Sequence, residues 1–270
     1  MSTPDALLDQ LHSKLAADPR IAAGWLGGSY GRGDADRYSD LDVHLLLAAD
    51  GGSFRDQSEG WLHALRPLVL YKLLFDGRMI NALTADGVRL DLWLYDEAPP
   101  VDRAKVRVLF DRAGLLQDQP SPANAPAGDD DKTRAVLRGQ IEEFWRCIAL
   151  LPTVIGRAEW LVAWRGLAVE YDLVLDILLR GNRIVREAGA KKLNQYLPPA
   201  LRGELEAALN LQGLSRDGLV NAHLALAAMI HRHGPQLAEQ WEFDYPAVLE
   251  AAVMSYVAEE LRLLGVNAAL

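Results

Sequence analysis

The sequence has 270 residues, of which 50% are hydrophobic and 24% charged, as is typical of a globular protein with a buried core. Lys and Arg number 28 and Asp and Glu 37, which gives a formal net charge of −9. A chain this acidic repels phosphate backbones, so general nucleic-acid binding is disfavoured. Disordered, collagen-like and coiled-coil classes are excluded by the same composition.

Cysteine usage and hydropathy point to the cytoplasm. The single cysteine, Cys147, cannot form an intramolecular disulfide, and CxxC zinc spacing is absent. The sequence contains no apolar run near the ~18 residues that span a bilayer. The first ten residues lack the basic and apolar regions of a signal peptide. We therefore expect a cytoplasmic protein with no membrane partner.

The first part of the chain mixes helical and strand periods. Helical spacing behind Thr3-Pro4 predicts an opening helix, and residues 53–66 predict a second one. The predicted strands cover residues 21–26, 41–48, 69–75, 79–84 and 88–95. Asp86-Gly87 marks a hairpin turn between the last two strands. This half therefore combines helices with a sheet.

A change in composition divides the chain. Residues 117–131, QDQPSPANAPAGDDD, lack apolar residues for packing and predict an exposed linker. Helical spacing then recurs in segments 132–151, 157–180, 198–209, 219–233 and 246–264. The predicted organisation is an α+β domain over 1–116, a linker over 117–131, and an all-α bundle over 132–270.

A glycine-rich turn follows the first predicted strand. In Gly27-Gly28-Ser29 the missing Cβ atoms let the backbone approach a ligand, and the N–H groups can face a phosphate. Ser29 adds a hydroxyl group, and Arg32 adds a positive charge nearby. The turn is therefore a candidate phosphate-binding element.

Two carboxylates follow on the next predicted strand. Asp40 and Asp42 point to the same face of that strand, because they are separated by one residue. Their repulsion favours a cation, and oxygen ligands suit Mg²⁺. Asp91, facing outward from strand 88–95, can complete a two-metal phosphoryl-transfer site. Asp86 and Asp96 are weaker alternatives, because both lie at turn ends.

His44 shares the outward face of its strand with Asp42. Two interpretations are open for this side chain. It can contact the candidate site, or it can pack within the sheet.

The residues 27–42, GGSYGRGDADRYSDLD, followed by a third Asp on a later strand, resemble the DNA polymerase beta-type nucleotidyltransferase superfamily. One catalytic domain followed by a helical bundle is similar to the antibiotic nucleotidyltransferases, above all those that modify lincosamides and streptomycin. The resemblance implies a small mixed-sheet nucleotidyltransferase domain followed by an all-α domain for substrate binding and dimerisation. Since many relatives pair, it also implies a homodimer.

The resemblance further implies two groups of site residues. Those that would bind the nucleotide are Gly28, Ser29, Arg32 and Ser39. Those that would hold the metal and act in catalysis are Asp40, Asp42 and Asp91. The implied cofactor is Mg²⁺, as two ions, and the implied nucleotide substrate is ATP.

A general base is predicted in segment 157–180. Glu170 lies on a helical stripe of small and apolar residues, which predicts a raised pKa and room for a ligand. A carboxylate paired with an arginine from another helix is the alternative interpretation. Members of the resembled group often use an acidic residue from the second domain or the domain interface, which favours Glu170 as the base. Glu159 is the second choice.

Together these expectations describe a Mg²⁺-dependent transferase that moves AMP from ATP to a hydroxyl group of a small molecule. An aminoglycoside or a lincosamide is the expected acceptor, and the net charge of −9 would steer a cationic one. One alternative is an enzyme that adenylylates protein side chains. Another is a catalytically silent nucleotide-binding module, although three intact carboxylates count against it.

Overall fold

The computed structural model describes residues 4–119, 130–185, 192–211 and 213–266. The chain divides into two compact units, Met1–Ala125 and Pro126–Leu270. The first contains a six-stranded mixed sheet with helices, and the described part of the second is helical, which confirms the α+β class. Over the described ranges, every helix is too short or too polar to cross a membrane.

The first unit is built around its sheet. Its described helices are α1 (Pro4–Ala17), α2 (Gly28–Arg32) and α3 (Gly52–Leu65). Its strands are β1 (Ile21–Leu26), β2 (Leu41–Leu47), β3 (Leu68–Leu74), β4 (Met79–Thr84), β5 (Arg89–Tyr95) and β6 (Arg107–Asp111). They are arranged in the order β3-β4-β5-β2-β1-β6, with β2 and β5 parallel and all other neighbours antiparallel.

Alternating apolar residues build the main core of the first unit on one face of the sheet, and a smaller cluster that includes Trp25 and Leu46 covers part of the other face. The side chains that point into this core from β2 and β5 are Leu41, Val43, Leu45, Leu90, Leu92 and Leu94. They pack against leucines of α1 and against Phe54 and Leu62 of α3. Because side chains alternate along a strand, the intervening polar residues lie together on the opposite face.

The five predicted strands and the predicted helix 53–66 are present, with ends that differ by at most one residue. The sequence analysis missed α2 and β6. Helix α2 has only five residues, two of them glycine, so it has no apolar periodicity. Strand β6 pairs with β1 at the edge of the sheet and is only half-buried, which leaves it without clear alternation.

The second unit contains six helices in the part of the chain that the structure describes. They are α4 (Asp130–Ile148), α5 (Leu151–Gly156), α6 (Trp160–Gly181), α7 (Pro199–Ala208), α8 (Arg216–Gln240) and α9 (Ala247–Leu263). The predicted segment 132–151 ends earlier, at Ile148, and the separate helix α5 begins at Leu151 with Pro152 in its first turn. Segment 219–233 is extended, since α8 continues through Pro235.

Both ends of the predicted linker 117–131 have regular contacts in the structure. Gln117 accepts a backbone hydrogen bond from Val101, and Gln119 donates one to it, so these residues belong to the first unit. At the other end, α4 already begins at Asp130. Residues 120–129 lie outside the described ranges.

Gly31 is a position where the first unit tolerates no side chain. A Cβ atom there would lie 2.5 Å from the carbonyl oxygen of Leu26 and 2.8 Å from that of Lys105. We expect Gly31→Ala to lower the free energy of unfolding by about 2 kcal/mol, because backbone atoms must move. Urea unfolding followed by tryptophan fluorescence would measure the change.

Gly60 in α3 provides the control, since a Cβ atom there would contact nothing within 4 Å. Gly60→Ala should raise stability by about 0.5–1 kcal/mol, because alanine loses less backbone entropy in a helix. Equal stability of the two variants would contradict the proposed close packing at Gly31.

Candidate active site

Three carboxylates converge on the polar face of the sheet. Asp42 on β2 and Asp91 on β5 are direct neighbours, because the parallel register pairs them. Asp40 lies just before β2, two residues from Asp42. One carboxylate oxygen from each residue lies within 4.8 Å of the others, and all three side chains are half-buried. The fold therefore brings together three of the predicted site residues.

The donor set fits a hard divalent cation. Three neighbouring carboxylates repel one another, and a cation between them offsets this repulsion. Mg²⁺ takes oxygen ligands of this kind. Gly28 gives the Asp42 carboxylate its room, since a Cβ atom at Gly28 would lie 1.9 Å from Oδ2 of Asp42. On these grounds Asp40, Asp42 and Asp91 are suited to hold Mg²⁺.

A backbone hydrogen bond joins the glycine-rich turn to Asp42. The N–H of Gly27 donates to the carbonyl oxygen of Asp42 over 2.9 Å, which continues the pairing of β1 with β2. Gly28 has φ +53°, a left-handed conformation that favours glycine. Ser29 follows as a buried residue of α2. The predicted phosphate-binding residues Gly28 and Ser29 therefore adjoin the carboxylates.

Arg32 and Ser39 both bind to aspartates of the segment that connects α2 to β2. Arg32 forms an ion pair of 3.2 Å with Asp34. The Ser39 hydroxyl accepts from the N–H of Asp36 over 2.9 Å and donates to its carboxylate over 3.1 Å. Ser39 thus stabilises the turn that leads into Asp40, and nucleotide binding by Arg32 and Ser39 stays a prediction.

The sequence analysis missed Asn81. The sheet register pairs Asp91 with Asn81 on β4, and Asn81 with Lys72 on β3. Nδ2 of Asn81 donates to Oδ1 of Asp91 over 2.6 Å, which fixes the orientation of that carboxylate. Asp42, Asp91, Asn81 and Lys72 therefore form one line across four strands, which we call the polar row.

A line of rings runs beside the polar row on the same face. Trp25, His44, Trp93 and Phe75 stack in that order, with successive ring centroids 5.4, 6.4 and 5.6 Å apart and interplanar angles of 10–15°. We call these four residues the aromatic stack. It begins at the buried Trp25 on β1 and ends at Phe75, which follows β3 and is 59% exposed.

His44 packs within the aromatic stack. Its Nδ1 forms a 3.0 Å hydrogen bond with the hydroxyl group of Tyr95, and its ring lies between those of Trp25 and Trp93. Burial lowers the pKa of His44 to about 4, so the ring is neutral near pH 7. A Cβ atom at Gly27 would lie 2.6 Å from Nε2 of His44, so the ring both packs within the sheet and adjoins the glycine-rich turn.

Glu170 lies on α6 in the second unit. Its side chain is only 2% exposed, and its Oε2 lies 2.6 Å from Nδ1 of His223 on α8. The pKa of Glu170 is raised by burial, the direction that the sequence predicts, while the bond to His223 acts in the opposite direction. Its partner is a histidine, whereas the sequence analysis considered an arginine. Glu159, the second choice, is exposed and directly precedes α6.

The contact of the second ring nitrogen of His223 indicates how many hydrogens the Glu170–His223 pair carries. Nε2 lies 3.1 Å from the carbonyl oxygen of Ala163, which can only accept, so Nε2 carries a hydrogen. One further proton lies between Nδ1 and Oε2 of Glu170. The pair is neutral overall whether that proton belongs to the imidazole or to the carboxyl group.

Gly28 provides a test of the carboxylate site. We expect Gly28→Ala to abolish Mg²⁺ binding, because its Cβ atom would displace the Asp42 carboxylate. Titration calorimetry with Mg²⁺ would measure the affinity. Gly33→Ala is the matched control, since Gly33 also has a positive φ of +79° but its Cβ atom would contact nothing within 4 Å. Comparable Mg²⁺ affinity in the two variants would contradict the assignment.

Comparison with known proteins identifies the family. The profile of the streptomycin adenylyltransferase family matches residues 1–260. Among solved structures, an aminoglycoside 6-adenyltransferase from Bacillus subtilis has 16% identity and a TM-score of 0.40, with 96% of this chain and 99% of that chain covered. A nucleotidyltransferase-like protein from Exiguobacterium sibiricum 255-15 has 13% identity and a TM-score of 0.34, with 86% and 76% covered. No curated protein sequence matched. Because the family profile spans nearly all of the sequence, the chain belongs to the streptomycin adenylyltransferase family and is an adenylyltransferase.

Proposed function

We propose that this adenylyltransferase transfers AMP from ATP to a hydroxyl group of an aminoglycoside, with Mg²⁺ held by Asp40, Asp42 and Asp91. The observation that carries the proposal is the convergence of the three carboxylates beside the Gly27–Ser29 turn. The family match supports an antibiotic acceptor, and the net charge of −9 would steer a cationic one toward the protein.

In the proposed reaction, the acceptor oxygen forms a bond to the α-phosphorus of ATP. The bond from that phosphorus to the bridging oxygen of the β-phosphate breaks, and pyrophosphate leaves. Gly28 and Ser29 bind the β- and γ-phosphates, and the three carboxylates hold the metal. Bound Mg²⁺ supplies positive charge that offsets the charge of the phosphates. The proton of the acceptor hydroxyl passes to a base.

The cytoplasm is the proposed location, since the reaction needs ATP and the single free cysteine requires no oxidising compartment. The homodimer stays a prediction from the sequence. Modification of a protein side chain would need the same carboxylates, so only the acceptor distinguishes it from the proposed reaction.

The three carboxylates give the first test of this function. We expect pyrophosphate release from Mg-ATP to depend on streptomycin, and Asp42→Asn and Asp91→Asn to lower its rate at least about 100-fold, because each removes a metal ligand. The assay would include kanamycin, lincomycin and the other three nucleoside triphosphates.

Asp96→Asn is the matched control, because Asp96 is an exposed carboxylate near the end of β5 that pairs with Arg55. Its activity should stay within about twofold of the wild type. Release without any acceptor dependence, or equal loss in Asp96→Asn, would contradict the proposed function. Mg-ATP binding without transfer to any compound would indicate a different acceptor, such as a protein.

We propose Glu170 as the general base that accepts the proton of the acceptor hydroxyl group. Its hydrogen bond to His223 limits how it could do so. Because Oε2 is bonded to His223, the other carboxylate oxygen must reach the acceptor. Under this proposal Glu170→Gln should lower kcat by about 10²–10⁴-fold, the usual contribution of a general base. The amide can still donate to Nδ1 of His223, so the thermal stability should change little. An unchanged kcat would assign Glu170 to helix packing alone.

A further inference from the structure

The end of the aromatic stack is exposed beside the polar row. Phe75 packs one ring face on Trp93, and Trp93 lies two residues after Asp91 on β5. The stack therefore reaches solvent at Phe75, next to the half of the polar row that contains Asp91 and Asn81. The function proposed above assigns no ligand to this surface.

The backbone holds Phe75 in a costly conformation. Phe75 and Asp76 have φ +52° and +54°, a left-handed conformation that costs a non-glycine residue roughly 1–2 kcal/mol. The turn is fixed from both sides, since Nε of Arg55 donates to the carbonyl oxygen of Gly77 and Nε of Arg78 to that of Phe75. A conformation of this kind persists only where the surrounding structure fixes it, as these hydrogen bonds do here.

The geometry of the attack on phosphorus indicates which substrate lies near Phe75 and the adjacent end of the polar row. In phosphoryl transfer the attacking and leaving oxygens are roughly in line with the phosphorus. If Gly28 and Ser29 hold the leaving phosphates at the Asp42 end of the polar row, the acceptor must approach from the opposite end. That end is formed by Asp91, Asn81 and Lys72, and neighbouring strands about 4.8 Å apart place Lys72 roughly 10 Å beyond Asp91.

The hydrogen-bond donors around this end of the polar row suit a hydroxyl-rich surface on the ligand. Lys72 and the amide of Asn81 are hydrogen-bond donors on the row, and Arg55 and Arg78 hold the adjacent turn. Hydroxyl oxygens of a ligand can accept hydrogen bonds from Lys72 and Asn81. An aromatic face beside such donors suits a saturated, polyhydroxylated ring.

We infer that the open face of Phe75, with Asn81 and Lys72, is the acceptor subsite, and that it takes a hydroxylated ring of the antibiotic. The inference rests on the proposed function, because the phosphates define the direction of attack. Trp93 stacks against the other face of the Phe75 ring.

Phe75→Gly and Phe75→Tyr form the central pair of variants. Glycine adopts φ +52° without strain, so Phe75→Gly removes the ring and keeps the turn. With ATP and streptomycin, we expect the KM for streptomycin to rise about five- to tenfold in Phe75→Gly, and the KM for ATP and kcat to stay within about twofold. Phe75→Tyr should behave like the wild type. Leu73→Ala, an exposed residue on the opposite face of β3, is the control.

Equilibrium binding of streptomycin to the wild type and Phe75→Gly, measured without ATP, separates this inference from the proposed function. Weaker binding by Phe75→Gly supports the subsite even if no AMP is transferred. Equal binding by both, or no binding by the wild type, overturns the inference even if transfer occurs. A rise in the KM for ATP alone would assign the ring to adenine and would also overturn it.

Discussion

The close approach of Asp40, Asp42 and Asp91 is the constraint that the fold of the first unit imposes on its candidate site. Their oxygens lie within 4.8 Å of one another, an arrangement that costs free energy in the absence of a cation. The parallel pairing of β2 with β5 imposes it, because the register places Asp42 beside Asp91. That register is fixed by the leucines and valines that alternate with the aspartates and fill the core. The apolar core therefore maintains a charged site that binding of a metal would stabilise.

The strands could be predicted from the sequence, because their apolar residues alternate clearly, but the contact of Asn81 with Asp91 could not. A two-residue turn at Asp86-Gly87 would pair Asn81 with Leu92 and place its side chain toward the core. The observed loop has three residues, 85–87, and pairs Asn81 with Asp91. One residue in the turn thus decides on which face the amide lies. The aromatic stack was equally inaccessible, since it joins strands in the spatial order of the sheet rather than in chain order.

Glu170 illustrates a second way of burying a carboxylate. Its own helix predicts burial and a raised pKa, but the partner is 53 residues away on α8 and leaves no local signal. Because His223 donates its other hydrogen to Ala163, the pair is satisfied and neutral within the second unit. In the first unit, by contrast, three carboxylates lie within 4.8 Å of one another, with Asp42 beside Asp91 on neighbouring strands. The two sites therefore differ in kind: one is internally compensated, and the other is suited to an external cation.

The two-residue period of a strand explains why the polar row and the aromatic stack lie side by side. Asp42 and Asp91 are each followed, two positions later, by a ring, His44 and Trp93, so both strands present a carboxylate and a ring on the same face. Since burial keeps His44 neutral near pH 7, the stack adds rigidity without adding charge beside the carboxylates. The fold therefore places neutral, stacked rings next to a row that contains two carboxylates, and the rings add no positive charge that would repel a metal ion.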